Sequence, residues 1–271
     1  MDFHGRTWED DFLEAPRRLF EGDRWKGISV RYLFALCLCI ACSPARSERV
    51  FTSYDDYYNE LSGPVFSGNP LDKPDESYSL KDEHGFCGEK DSCQDHRGKL
   101  GLRRIVVTTS LVGGGFRING RQFDYESARL LSGAEKPSKD APLYDVSVYV
   151  ATGFEKRPAM ICIQGRYMGS GRFRTMEVYV VSNPLGKRDR TRLFHLPHLH
   201  SSCLGIRQEL DGSVSYPENR YITENGRAVG LSMKRTSLNF NESSQSRPSG
   251  SEEVVRFSEP DDPFSFTRTR P

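Results

Sequence analysis

The 271-residue chain has almost no net charge, because 38 Lys plus Arg stand against 37 Asp plus Glu, a formal +1. That balance excludes a whole-chain polyelectrolyte of the kind that coats nucleic acid, and no specific nucleic-acid partner is expected. Long apolar runs are also missing. None reaches the roughly 18 to 20 residues of a membrane-spanning helix, so the mature chain should have no such helix. Tryptophan is scarce, with Trp8 and Trp25 the two present. Several catalytic signals are absent too: no HExxH or HxHxDH pattern occurs, the triglycine at 113–115 lacks the Lys-Ser/Thr of a P-loop, and Gly169-Ser170-Gly171 is not a nucleophile elbow. Aromatic residues, by contrast, are plentiful. The chain has 16 Phe and 12 Tyr, enough to place it outside the disordered class despite a mean hydropathy of −0.61.

The longest apolar run covers residues 32–42, preceded by Arg24, Lys26 and Arg31. Its 11 residues suit a secretory h-region, and Ala45-Arg46-Ser47 places small residues where signal peptidase reads. Cleavage after Ser47 is expected, and with it a periplasmic or secreted protein. Upstream, residues 1–29 carry seven acids against five bases, the wrong sign for a signal n-region. A start at Val30 would leave a compact signal and make residues 1–29 a dispensable extension. Both tryptophans fall in that extension. Lipid modification at Cys42 is the alternative to cleavage, although Cys39-Ile40-Ala41 matches a lipobox poorly.

Of the seven cysteines, Cys37, Cys39 and Cys42 lie in the signal, leaving Cys87, Cys93, Cys162 and Cys203. An even number in an exported chain reads as disulfides. The favoured pairs are Cys87–Cys93, closing a local loop, and Cys162–Cys203. The second closes about 42 residues, worth roughly 4 kcal/mol in the loop-entropy account.

Composition divides the chain into four regions. Residues 1–47 hold the extension and signal peptide. Residues 48–100 form an acidic lead-in with the local disulfide loop, with 11 acids and three lysines between Val50 and His96. Residues 101–235 read as the folded body, and residues 236–271 as a polar, flexible tail with at most an edge strand at 254–257. Ser53 is placed to cap a short helix over 54–61. In the body, 104–112 is β-branched and unbroken, Asn119-Gly120 marks a tight hairpin, and Asp124 opens a short helix over 125–132. Val146, Val148 and Val150 alternate along a strand over 144–152. Residues 159–167 and 173–181 pair as a hairpin buried on both faces. Further short strands are expected at 193–196, 204–210, 213–216 and 228–233. The fold class is mainly β, a β-rich α+β arrangement: an antiparallel sheet or open barrel with one or two short helices, stapled by disulfides.

From Lys156 to His200 nine bases face two acids. Arg166, Arg172, Arg174, Lys187, Arg188, Arg190 and Arg192, interleaved with Tyr167, Phe173 and Phe194, form a candidate surface for phosphate, a lipid headgroup or an acidic protein. The acidic lead-in of the same chain is the competing occupant. His195, His198 and His200 are candidate metal ligands. On an extended strand His198 and His200 share a side, and two imidazoles with a third ligand can hold a catalytic zinc. His84, Cys87, Cys93 and His96 have the spacing H-x2-C-x5-C-x2-H, which would suit a structural zinc, but an oxidising compartment favours the disulfide. The function expected is that of an exported, non-catalytic binding or inhibitory protein of a bacterial envelope. It would need no cofactor and would contact another protein or an anionic envelope component through its basic surface. The alternative is a zinc-dependent hydrolase built on the three histidines.

Overall fold

The computed structural model describes residues 49–61, 63–72, 93–111, 113–132, 134, 136, 143–155, 157–166, 176–197, 199–240 and 252–269, all within the compact unit Glu48–Pro271. The signal peptide, Cys42, His84, Cys87, Arg172, Arg174 and His198 lie outside the described residues. In chain order, β1 (Val50–Phe51) and helix α1 (Tyr54–Glu60) come before β2 (Cys93–Leu100), β3 (Arg103–Ser110), β4 (Gly115–Ile118) and β5 (Arg121–Asp124). A 3-10 turn (Tyr125–Ser127) connects to β6 (Arg129–Leu130), then β7 (Tyr144–Ala151), β8 (Met160–Arg166) and β9 (Met176–Ser182). A second 3-10 turn (Arg188–Arg190) leads to β10 (Arg192–His195), and a third (Cys203–Gly205) to β11 (Arg207–Gln208). The last strands are β12 (Val214–Glu224), β13 (Arg227–Leu238), β14 (Glu253–Phe257) and β15 (Phe266–Thr269).

These strands form three sheets, ordered β2-β3-β4-β5, β6-β10-β9-β8-β7 and β1-β15-β14-β13-β12-β11. Pairing is antiparallel except between β6 and β10, and the architecture is the curled, half-barrel β fold that the strand spacing led us to expect. The five-stranded sheet is the middle layer. Side chains alternate along a strand, so Met160, Cys162, Val178 and Val180 join one core cluster while Ile161, Ile163, Tyr179 and Val181 join another. The first cluster is completed by α1 and the six-stranded sheet, the second by Ile105, Val107, Phe116 and Ile118 of the four-stranded sheet. A strand that must be apolar on both faces reads as a continuous apolar run, as β8 and β9 do. The Cys162–Cys203 disulfide ties this middle layer to the third 3-10 turn, with Cα atoms 5.8 Å apart. Cys93 is disulfide-bonded as well. Its expected partner, Cys87, is outside the described residues.

Local signals account for the elements that sequence reading found. Ser53 Oγ accepts from Asp56 N at 3.4 Å, Asp55 and Asp56 occupy the positive end of α1, and Tyr54, Tyr57 and Tyr58 share its buried face. Asn119 (φ 47°) and Gly120 (φ 82°) make the tight β4–β5 turn, and Asn119 Oδ1 accepts from Val106 N at 2.8 Å.

Three expectations are corrected. Instead of a helix over 125–132, a single 3-10 turn runs into β6, because the backbone of Arg129 and Leu130 pairs with Phe194 and His195, and Asp124 makes no capping bond. Residues 204–210 hold a 3-10 turn and a two-residue strand rather than one long strand. The C-terminal stretch is no loose tail where it is described: β14 lies between β13 and β15, and Val255 and Phe266 are fully buried.

Candidate anion-binding cleft

The register of the middle sheet gathers the basic residues at one end. Ala151 pairs with Met160, Met160 with Ser182, and Ser182 with Arg192, so these four form a single row. The connections 152–159 and 183–191 therefore emerge together. A Cβ placed on Gly101 would lie 3.9 Å from Thr152 Cγ2, which brings the β2–β3 turn to the same end. Arg121 brings the β4–β5 turn there too, since its Nη1 donates to Thr191 Oγ1 at 2.9 Å and to Gly186 O at 3.4 Å.

This end is strongly positive. The β2–β3 hairpin supplies Lys99, Arg103 and Arg104, and the β7–β8 connection supplies Arg157. The β9–β10 connection adds Lys187, Arg188 and Arg190, while Glu155 and Asp189 are the acids of the same two connections. Lys99 and Arg104 sit directly opposite each other across the hairpin, an arrangement of like charges that destabilises a strand pair.

Within this end a cleft of about 700 Å³ opens between β5, β6, the second 3-10 turn and β10. Four arginines line it: Arg121, Arg129, Arg188 and Arg192. Its carboxylate, Asp124, is occupied by an accepted bond from Gln122 Nε2 at 2.7 Å. The walls are held by Thr191, whose hydroxyl lies 3.1 Å from both Asn183 O and Lys187 O and accepts from Arg121. Arg192 Nη1 donates to the carbonyls of Asp189 and Thr191, again neutral acceptors. Arg129 and Arg188 are exposed, and among the described residues neither makes a side-chain hydrogen bond or an ion pair. Burial pushes the Arg121 guanidinium below its ordinary value, and the charge of Arg188 pushes it the same way.

No family model, curated protein or solved structure matches this chain.

The chemistry of the cleft follows from its own geometry. Four guanidinium groups against the one carboxylate of Asp124 leave the cleft with an excess of positive charge, and their planar forks match the oxygens of phosphate, sulfate or carboxylate. An anion placed among them would remove the repulsion that Arg121 and Arg188 impose on each other.

The structure brings together part of the expected basic set. Lys187, Arg188, Arg190 and Arg192 share the basic end. Arg166 does not, since it is at the far end of β8, six residues and about 20 Å from Met160. Arg121 and Arg129 were not among the expected residues. They come from elements paired in space but distant in sequence, and the one local hint was that Arg121 follows the Asn-Gly turn.

The histidines separate. His195 is buried in β10, with Nε2 2.5 Å from Glu177 Oε2 and its ring stacked on Tyr179 at 4.6 Å. His200 stacks on Tyr54 at 4.4 Å, and its Nε2 lies 3.0 Å from Tyr221 OH. Tyr179 and Tyr54 belong to different core clusters, so these two imidazoles do not face a common point. Among the described residues no group of three His, Cys, Asp or Glu is arranged to hold a metal ion, and no helix is long and apolar enough to cross a membrane.

Proposed function

We propose that this chain is an exported, non-catalytic binding protein of the cell envelope that holds an anionic group in the cleft lined by Arg121, Arg129, Arg188 and Arg192. The convergence of these four guanidinium groups carries the reading. Export is supported by the apolar run before Ser47 and by the buried Cys162–Cys203 disulfide, a bond that forms in oxidising compartments. The ligand is a phosphate, a sulfate or a carboxylate presented by a partner or an envelope component, and the cleft requires no cofactor to take it.

Thermal melting in sodium phosphate against sodium chloride of equal ionic strength tests the site. A ligand that binds the folded state stabilises it by mass action, by about 2.7 kcal/mol at one hundred times Kd. The melting temperature should rise in phosphate and lose that rise in the Arg129→Ala, Arg188→Ala double variant. An equal rise in both proteins, or none in either, would contradict the site. N-terminal sequencing of the exported protein checks the second half: a start at Glu48 is expected, and a retained Met1 would contradict cleavage.

A further inference from the structure

We infer that the basic end docks on an anionic lipid surface, with Leu102 and Phe154 entering the headgroup region. The inference rests on the reading of that end as an anion-binding surface and names the source of the anion.

Two large apolar side chains stand at this end without cover. Leu102 is fully exposed, and Phe154 is 55% exposed. Leu102 occupies the second position of the two-residue β2–β3 turn, after Gly101 at φ 62°. A turn of this kind asks for glycine at its first position and for nothing apolar at its second, where a polar residue would serve the fold equally well. Phe154 lies in the β7–β8 connection, held by paired backbone bonds with Arg157 at 3.0 and 2.8 Å, and Arg157 Nη2 donates to Thr152 O at 2.9 Å. The closeness of Gly101 to Thr152, whose Cγ2 would lie 3.9 Å from a Cβ added at Gly101, places the two connections side by side.

Around these tips stand Lys99, Arg103, Arg104 and Arg157. A protruding apolar tip flanked by bases matches the interface of a bilayer, where apolar side chains sink below the headgroups and bases meet anionic phosphates. A folded protein partner would instead call for a broad, desolvated apolar patch, and these tips rise from two separate turns. The opposed Lys99 and Arg104 lose their mutual repulsion against a negative surface.

Co-sedimentation of the processed protein with phosphatidylcholine vesicles, with and without phosphatidylglycerol, tests this. Binding is expected to the anionic vesicles and not to the neutral ones. Leu102→Asp should weaken it about tenfold or more, and Arg103→Gln should weaken it roughly fivefold, as expected for one base near such a surface. In the Leu102→Trp protein, anionic vesicles should shift the tryptophan emission to the blue relative to the same protein without vesicles. All three variants are at exposed positions, and the phosphate-dependent rise in melting temperature reports on the cleft separately. If Leu102→Asp keeps the phosphate response and loses vesicle binding, the inference stands. If wild-type protein keeps the phosphate response but ignores anionic vesicles, the inference fails and the cleft survives. If poly-glutamate is bound and vesicles are not, the end faces an acidic protein and the inference fails. Vesicle binding unchanged in Leu102→Asp would overturn the insertion of the tip.

Discussion

Arginine is used in two opposed ways in this molecule. Arg235, buried in β13, donates from Nε to Ser215 Oγ at 2.9 Å and from Nη2 to Gly205 O at 2.7 Å, and Glu209 Oε1 lies 3.4 Å away. Burial and the neighbouring Arg207 push its guanidinium below the ordinary value, while Glu209 opposes them. Its charge is thus answered inside the fold. Arg129 and Arg188 line the cleft without an ion pair among the described residues, and Arg121 meets two neutral oxygens and the face of the Phe123 ring. The first kind of arginine holds the third 3-10 turn to the six-stranded sheet. The second kind makes no ion pair among the described residues. Burial and pairing, rather than residue type, decide which is which.

The contrast breaks first at Arg235. Arg235→Ala removes a buried side chain together with its bonds to Ser215 Oγ and Gly205 O, so urea denaturation should show a loss of roughly 2–4 kcal/mol. A loss under ~1 kcal/mol would mean that Arg235 belongs with the surface arginines. Comparable in size is the Cys162→Ala, Cys203→Ala double variant, expected to lose roughly 2–5 kcal/mol in the same measurement. Alkali acts on the same half of the molecule. Burial pushes Tyr58 up to about 12, and burial likewise raises Tyr54 and Tyr57. A phenol whose folded pKa exceeds its unfolded value of about 10 stabilises the fold below pH 10 and loses that contribution as pH rises from 10 towards 12. Denaturation midpoints should therefore be level up to pH 9 or so and fall steeply above about pH 10. A midpoint flat to pH 12 would contradict the burial of these rings.

Smaller effects sharpen the other half of the comparison. Arg121→Ala breaks the link to Thr191 and should cost about 1 kcal/mol, together with the response to phosphate. Arg188→Ala should leave stability within about 0.5 kcal/mol of wild type, or raise it slightly by relieving Arg121, while the phosphate response falls. A variant that loses stability and binding in proportion would show that Arg188 is structural after all.

Much of this fold was legible because local chemistry and global packing agree. The Ser53 cap, the Asn119-Gly120 turn and the doubly apolar β8 and β9 each state their structure within a few residues. The longest hairpin was not read, although Asn225 (φ 50°) and Gly226 (φ 77°) repeat the same turn signal between β12 and β13. The obstacle was polar residues facing inward. Asn219 is buried because its Nδ2 donates to Tyr58 OH at 3.0 Å and to Leu199 O at 2.7 Å, and Glu218 is paired with Arg220 at 2.7 Å. The partners of Asn219 come from α1 and from another loop, and no alternation of apolar residues announces them. Pro217 hid the strand as well. It is tolerated because β11 covers only Val214 and Ser215, so beside Pro217 no neighbouring strand asks for its missing N–H.

The site divides the same way. Arg188, Arg190 and Arg192 were visible as a run, whereas Arg121 and Arg129 join them through the β6–β10 pairing and the Thr191 bond. Arg166 looked equivalent in sequence and is removed by the length of one strand. His195, expected as a metal ligand, is buried with its Nε2 against Glu177 Oε2, a partner one strand away that no spacing rule connects to it.

The most direct measurement is a crystal of the processed protein grown or soaked with tungstate, a tetrahedral oxyanion with strong anomalous scattering. The account predicts an anomalous peak in the cleft, within hydrogen-bonding reach of Arg121, Arg129 and Arg188, that disappears in the Arg129→Ala, Arg188→Ala protein. An empty cleft at full occupancy elsewhere, or a peak that survives the double substitution, would contradict it.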